Sequence, residues 1–161
     1  MSDQATVRLS ECSQALTRLL SGAWITRMEF VRTGWELEFG LPEDKIAVSG
    51  DVLAPSEDII LAAEADPNSE VEADAEIARI LVLATAQTVE SVAVDADANL
   101  SLSFSHGLAV QFPGKAGPVD EVWYFYASSG ARRLVGEPSL AMSYFGELRF
   151  EPRLLKYGRA T

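Results

Sequence analysis

One cysteine and one histidine in 161 residues close several chemical routes at once. Cys12 alone cannot form an internal disulfide, which fits a reducing compartment and leaves burial of apolar surface to hold the fold. Cys12 and His106 together fall short of the three or four nitrogen and sulfur ligands of a zinc site, so no metal and no cofactor are expected. No stretch approaches the roughly 20 apolar residues that span a bilayer. The opening Met1-Ser2-Asp3-Gln4 lacks the basic and apolar regions of a secretory signal. The expectation is a soluble, cytoplasmic protein.

Positive charge is scarce as well. Thirteen Lys and Arg face 24 Asp and Glu, a net charge of −11. The imbalance is uneven: residues 1–130 carry a net −14 and residues 131–161 a net +3. Residues 51–76 hold nine carboxylates and no Lys, Arg or His. Such a surface repels phosphate backbones and anionic lipid heads, so neither nucleic acid nor membrane is an expected partner. It suits a basic protein partner, or it serves solubility alone.

What the chain does have is an apolar half, 48% of residues, with seven Phe, four Tyr and three Trp. That is enough to bury a substantial core and argues against disorder. The apolar positions also recur. At a shift of 64, Leu16 and Leu19 fall on Ile80 and Leu83, and Ile25, Met28 and Phe30 fall on Val89, Val92 and Val94. One residue further, Trp35, Leu37 and Phe39 fall on Leu100, Leu102 and Phe104; after a contraction, Val48 falls on Val110. A skeleton repeated in order, slipping only where turns belong, predicts two copies of one supersecondary unit.

The first unit opens with a short helix capped by Ser10, with Cys12, Leu16, Leu19 and Leu20 on one face and Gly22 as its C-cap. Alternation predicts strands over residues 24–31 and 35–40 around a turn at Arg32-Thr33-Gly34, then over 46–53 and 58–63. Ser69 and Glu72 have capping-box spacing, which predicts a helix over residues 70–84 with Ile77, Ile80, Leu81 and Ala84 inward. Glu70, Glu72, Asp74 and Glu76 in its first turns complement the helix dipole. Further strands are expected over 89–94, 100–104, 108–112 and 121–126, and in the tail over 132–135, 139–145 and 148–155. Along 121–126, Trp123 and Phe125 share one face while Val122, Tyr124 and Tyr126 share the other, the pattern of a covered or central strand.

Local chemistry is sparse. Cys12 points inward on its helix, where a thiol is inert. His106, between Ser105 and Gly107, reads as a turn residue with no triad partner nearby. The pairs Glu57-Asp58 and Asp120-Glu121 precede matching strands and could bind magnesium or share acid–base work, but neighbours on a strand point to opposite faces. The glycines of Pro113-Gly114-Lys115-Ala116-Gly117 lack the spacing of a phosphate-binding loop. No catalytic residue is assigned. The run Trp123-Tyr124-Phe125-Tyr126 is core by composition, or in part a contact surface.

A resemblance rests on the second unit. Val89-x-x-Val92-x-Val94, Leu100-x-Leu102-x-Phe104, the turn Ser105-His106-Gly107-Leu108-x-Val110 and Glu121-x-Trp123 resemble a group of small bacterial domains of unknown function. They are also similar to immunity proteins of polymorphic and contact-dependent inhibition toxin systems. The similarity covers about a third of the chain, mostly turn and core positions. His106 stands where the pattern has an acidic residue, and the first unit lacks Glu-x-Trp. The resemblance implies a non-enzymatic inhibitor that neutralises a toxin domain, and it brings no catalytic residues.

The expected architecture is therefore α+β, a tandem duplication of a helix and about four antiparallel strands in a pseudo-twofold arrangement. The expected units are residues 1–66 and 67–130, with residues 131–161 packing on the same domain. The expected partner is a basic protein, contacted through Asp58, Glu64, Asp66, Glu70, Glu72 and Asp74. The alternative is a small-ligand-binding protein or an enzyme with its site between the two units.

Overall fold

A computed structural model describes residues 3–31, 34–40, 45–50, 67–115, 121–128 and 140–151. Among these residues the chain is α+β, with two helices and nine strands paired antiparallel throughout. Helix α1 (Asp3–Leu20) leads into β1 (Trp24–Val31), β2 (Gly34–Gly40) and β3 (Lys45–Gly50). Helix α2 (Pro67–Ala84) leads into β4 (Val89–Val94), β5 (Leu100–Phe104) and β6 (Ala109–Phe112). Strands β7 (Glu121–Ser128), β8 (Ala141–Tyr144) and β9 (Glu147–Phe150) complete the described chain.

The strands form two sheets, one in the order β1-β2-β3-β7-β8-β9 and the other β4-β5-β6. Both open with a meander of the same register. In one, Ile25, Met28 and Phe30 stand opposite Phe39, Leu37 and Trp35, with a bulge between Ile25 and Arg27. In the other, Val89, Val92 and Val94 stand opposite Phe104, Leu102 and Leu100, with a bulge between Val89 and Ser91. Leu37 then faces Val48, and Leu102 faces Val110.

Strand β7 departs from the expected arrangement. It is not the fourth strand beside β6; it crosses to the other sheet and pairs with β3, Phe125 opposite Val48 and Trp123 opposite Gly50. With β8 on its other side, β7 is interior to a six-stranded sheet. That position accounts for its apolar character on both faces: Val122, Trp123 and Phe125 are all fully buried. The expected strands over 58–63 and 132–135 lie outside the described residues.

Both helices begin earlier than expected. Helix α1 starts at Asp3, and Ser10 lies within it, its hydroxyl accepting from Gln14 Nε2 at 3.2 Å. The first two turns escape an apolar-stripe reading because Val7 is exposed and only Leu9 reaches the core. Helix α2 starts at Pro67 and not at a Ser69 cap; proline suits a first turn, where its missing N–H has no partner to lose.

One core joins the layers. Cys12, Leu16 and Leu20 of α1 and Leu81 and Ala84 of α2 cluster with Leu37, Phe39, Leu102, Phe112, Trp123 and Phe125 from both sheets. Helix α1 does more than pack. The Thr17 hydroxyl accepts from the Val92 N–H at 2.9 Å and donates to the Val92 carbonyl at 3.0 Å, and Ser13 Oγ accepts from the Val94 N–H at 3.0 Å. Two hydroxyls one helical turn apart thus satisfy the outer backbone edge of β4.

Candidate interaction surface

Of the six expected contact residues, Glu70, Glu72 and Asp74 fall in the N-terminal half of α2, and Asp58, Glu64 and Asp66 lie outside the described residues. Glu57 and Asp120 also lie outside them, while Glu121 opens β7 opposite Tyr144. In the same helix Glu76 forms an ion pair with Arg79, three residues on. Hydrogen bonding to Arg79 holds the Glu76 carboxyl below its ordinary range. Both side chains are in water, so the pair adds little to stability.

A second acidic group, which sequence reasoning missed, lies on the outer face of β1–β2. Register places Arg27 opposite Glu38 and Glu29 opposite Glu36, so all four side chains share a face. Arg27 reaches Glu29 at 2.5 Å, Glu36 at 2.6 Å and Glu38 at 3.7 Å. Its hydrogen bond to Glu29 and the fields of the other two carboxylates raise its pKa further. Glu38 is 7% exposed, while Arg27 is open to solvent. Among the described residues, these three carboxylates surround one guanidinium. Its signal was present in the sequence: alternate charged positions on two strands joined by a two-residue turn.

The same strand exposes aromatic surface. Trp24 and Phe30, near its two ends, are 55% and 54% exposed. A third exposed aromatic, Phe145, sits at the tip of the β8–β9 hairpin against the Tyr144 ring, and the Arg149 guanidinium lies 3.6 Å from the Tyr144 ring centre. By contrast Trp123 and Phe125 are core, and only Tyr124 of the described aromatic run is half-buried.

The reactive candidates are placed plainly. Burial pushes the Cys12 thiol up to about 12, so it is neutral and shielded. His106 is exposed on the β5–β6 turn, where its backbone N–H donates to Gln87 Oε1 at 3.0 Å and Gly107 takes φ 81°. A shallow cleft between α1 and β9 is lined by Asp3, Gln4, Val7, Arg8, Glu11 and Phe150, and His106 is not among them. Among the described residues, no group of three or more His, Cys, Asp or Glu is placed to hold a metal ion. No described helix is long and apolar enough to cross a membrane.

No family model, no curated protein and no solved structure matches this chain.

Proposed function

We propose that this is a non-enzymatic binding protein, an inhibitor of the immunity type that docks on a basic toxin domain in the cytoplasm and blocks its active cleft. The observation that carries the reading is concentrated negative charge: nine carboxylates without one base over residues 51–76, in a chain of net −11. The three carboxylates around Arg27 carry acidic side chains onto a folded, paired strand surface as well. Concentrated charge of one sign accelerates encounter with an opposite partner and disfavours wrong ones. The second unit's resemblance to immunity proteins points the same way.

The scaffold in this reading is a tandem duplication with its last strand exchanged. Two helix-plus-meander segments with equivalent registers and equivalently placed bulges support it. So does the coincidence of Leu37–Val48 with Leu102–Val110 as cross-strand pairs.

The test is retention of a partner. The immobilised full chain, exposed to lysate of the cells that make it, should hold a basic protein at low salt and release it as salt rises. That protein's activity should be lost in the complex. Retention of no basic protein, or of one whose activity is undiminished when bound, contradicts the reading.

A further inference from the structure

Two exposed features lie at opposite ends of β9. At one end is the tip of the β8–β9 hairpin, where Phe145 has a left-handed backbone, φ 49°, and is 56% exposed. Backbone and open ring both cost stability, and such outliers gather where a surface has a further use. The ring is held in place: it packs edge-on against Tyr144, over which the Arg149 guanidinium stacks. Stacking leaves the guanidinium N–H groups free at its rim. Lys115 packs beside Gly146 at the same tip. Among the described residues neither Arg149 nor Lys115 is ion-paired, in a chain with 24 acidic side chains.

At the other end is the cleft between α1 and β9, of about 560 Å³. Its apolar part is Val7, 55% exposed, and Phe150. Asp3 and Glu11 add two exposed carboxylates that pair with no base among the described residues. Arg8 is committed to the Phe150 carbonyl, to which it donates at 3.2 Å. The tip carries Lys115 and Arg149 against Glu147, and the cleft carries Asp3 and Glu11 against Arg8. Their local charges are opposite.

We propose that two copies of this chain associate about a twofold axis beside Leu148, the Phe145 ring of each entering the α1–β9 cleft of the other. Leu148 stands midway along the chain between Phe145 and Glu151, so one rotation carries each tip to the Phe150 end of the other copy. The contact is reciprocal and closes at two copies. The same rotation turns Arg149 of each copy towards Glu147 of the other, since these two exposed residues flank Leu148 on β9. Glu147 has no ion pair of its own among the described residues. Lys115 travels with the tip to the carboxylates at the cleft rim. β9 is the last strand of its sheet, so no further strand stands between the copies. Side chains make the contact, and Arg8 keeps its bond to Phe150. Opposite local charges offset part of the repulsion between two chains of net −11. The proposal stands apart from the docking of a basic partner, and either can fail alone.

Sedimentation equilibrium of the full chain tests it, with a reversible dimer as the expected result. Phe145→Asn removes the ring and suits the turn, so it should weaken the dimer about tenfold or more without lowering the stability of the monomer. Val7→Arg places a charge in the cleft from an exposed helix position and should weaken the dimer to a similar degree. Glu147→Arg sets like charges together twice and should also weaken it, and adding Arg149→Glu should recover most of that loss. Circular dichroism confirms that each variant is folded. A wild-type chain that stays monomeric at every soluble concentration overturns the proposal and leaves the cleft to a different occupant. A dimer indifferent to Phe145→Asn, or to Val7→Arg, overturns it as well.

Discussion

The indole N–H of Trp123 donates to the carbonyl oxygen of Ala98 at 2.7 Å, and Ala98 holds a left-handed backbone at φ 59°. A residue of the six-stranded sheet thus anchors the β4–β5 turn of the other sheet. The turn is set from within as well, since Asp95 accepts from the backbone N–H groups of Asp97 and Asn99. Trp123→Ala should cost about 3–5 kcal/mol through lost burial and a cavity. Trp123→Phe should cost about 1–3 kcal/mol, chiefly because the Ala98 carbonyl is left buried without its donor. Denaturant titration measures both, and a Trp123→Ala variant as stable as wild type would remove β7 from the centre of the core.

Thr17 joins helix α1 to strand β4. Thr17→Val keeps the shape and deletes both bonds to Val92, leaving an N–H and a carbonyl unmet. A loss of about 1–3 kcal/mol is expected. Hydrogen exchange is the sharper readout: the Val92 amide should exchange faster in Thr17→Val and the Val94 amide faster in Ser13→Ala. Unchanged protection at both would mean that α1 does not seal the β4 edge.

The β8–β9 hairpin is not optimised. Its two turn residues, Phe145 and Gly146, both take positive φ, 49° and 77°, a geometry that favours Asn-Gly. Phe145 is 56% exposed, so its ring repays little of the strain. Phe145→Asn should stabilise the chain by about 0.5–1 kcal/mol despite the lost contact with Tyr144. A lower denaturation midpoint in that variant would show that the ring contact outweighs the backbone.

Cys12 carries a pH dependence whose sign follows from its burial. Folding favours the neutral thiol and raises its pKa from an ordinary 9.0 to about 12. The contribution to stability is therefore fully present below pH 9 and is lost as pH rises toward 12, because the unfolded chain ionises first. At pH 8 a thiol reagent should label the unfolded chain readily and the native chain only at the rate of opening. Rapid labelling of the native chain would place Cys12 outside the core.

Alternation and turn chemistry made β1, β4 and β5 legible to the residue, since Val89, Val92 and Val94 have only one face to bury on. The start of α1 was not legible, because its first two turns are held partly by tertiary contact: the Arg8 guanidinium donates to the Phe150 carbonyl, 142 residues away in the chain. The pairing of β7 with β3 was hidden for the same reason. Val122 and Trp123, on opposite sides of the strand, show that β7 is covered on both faces, and nothing local says which strand lies beside it. The Arg27 cluster could have been read from the spacing of Arg27, Glu29, Glu36 and Glu38, but those charges stand out little in a chain with 24 acidic residues.

The central claim is that the acidic stretch speeds association with a basic partner. Changing Asp58, Glu64 and Asp66 to Lys avoids the helix positions Glu70 and Glu72, where charge also serves the dipole. The measurement is the association rate of that triple variant with the isolated partner at low and at high salt. A rate well below wild type at low salt, converging with it at high salt, is the predicted result. An unchanged rate at low salt would contradict the account and reduce the acidic stretch to a solubility surface.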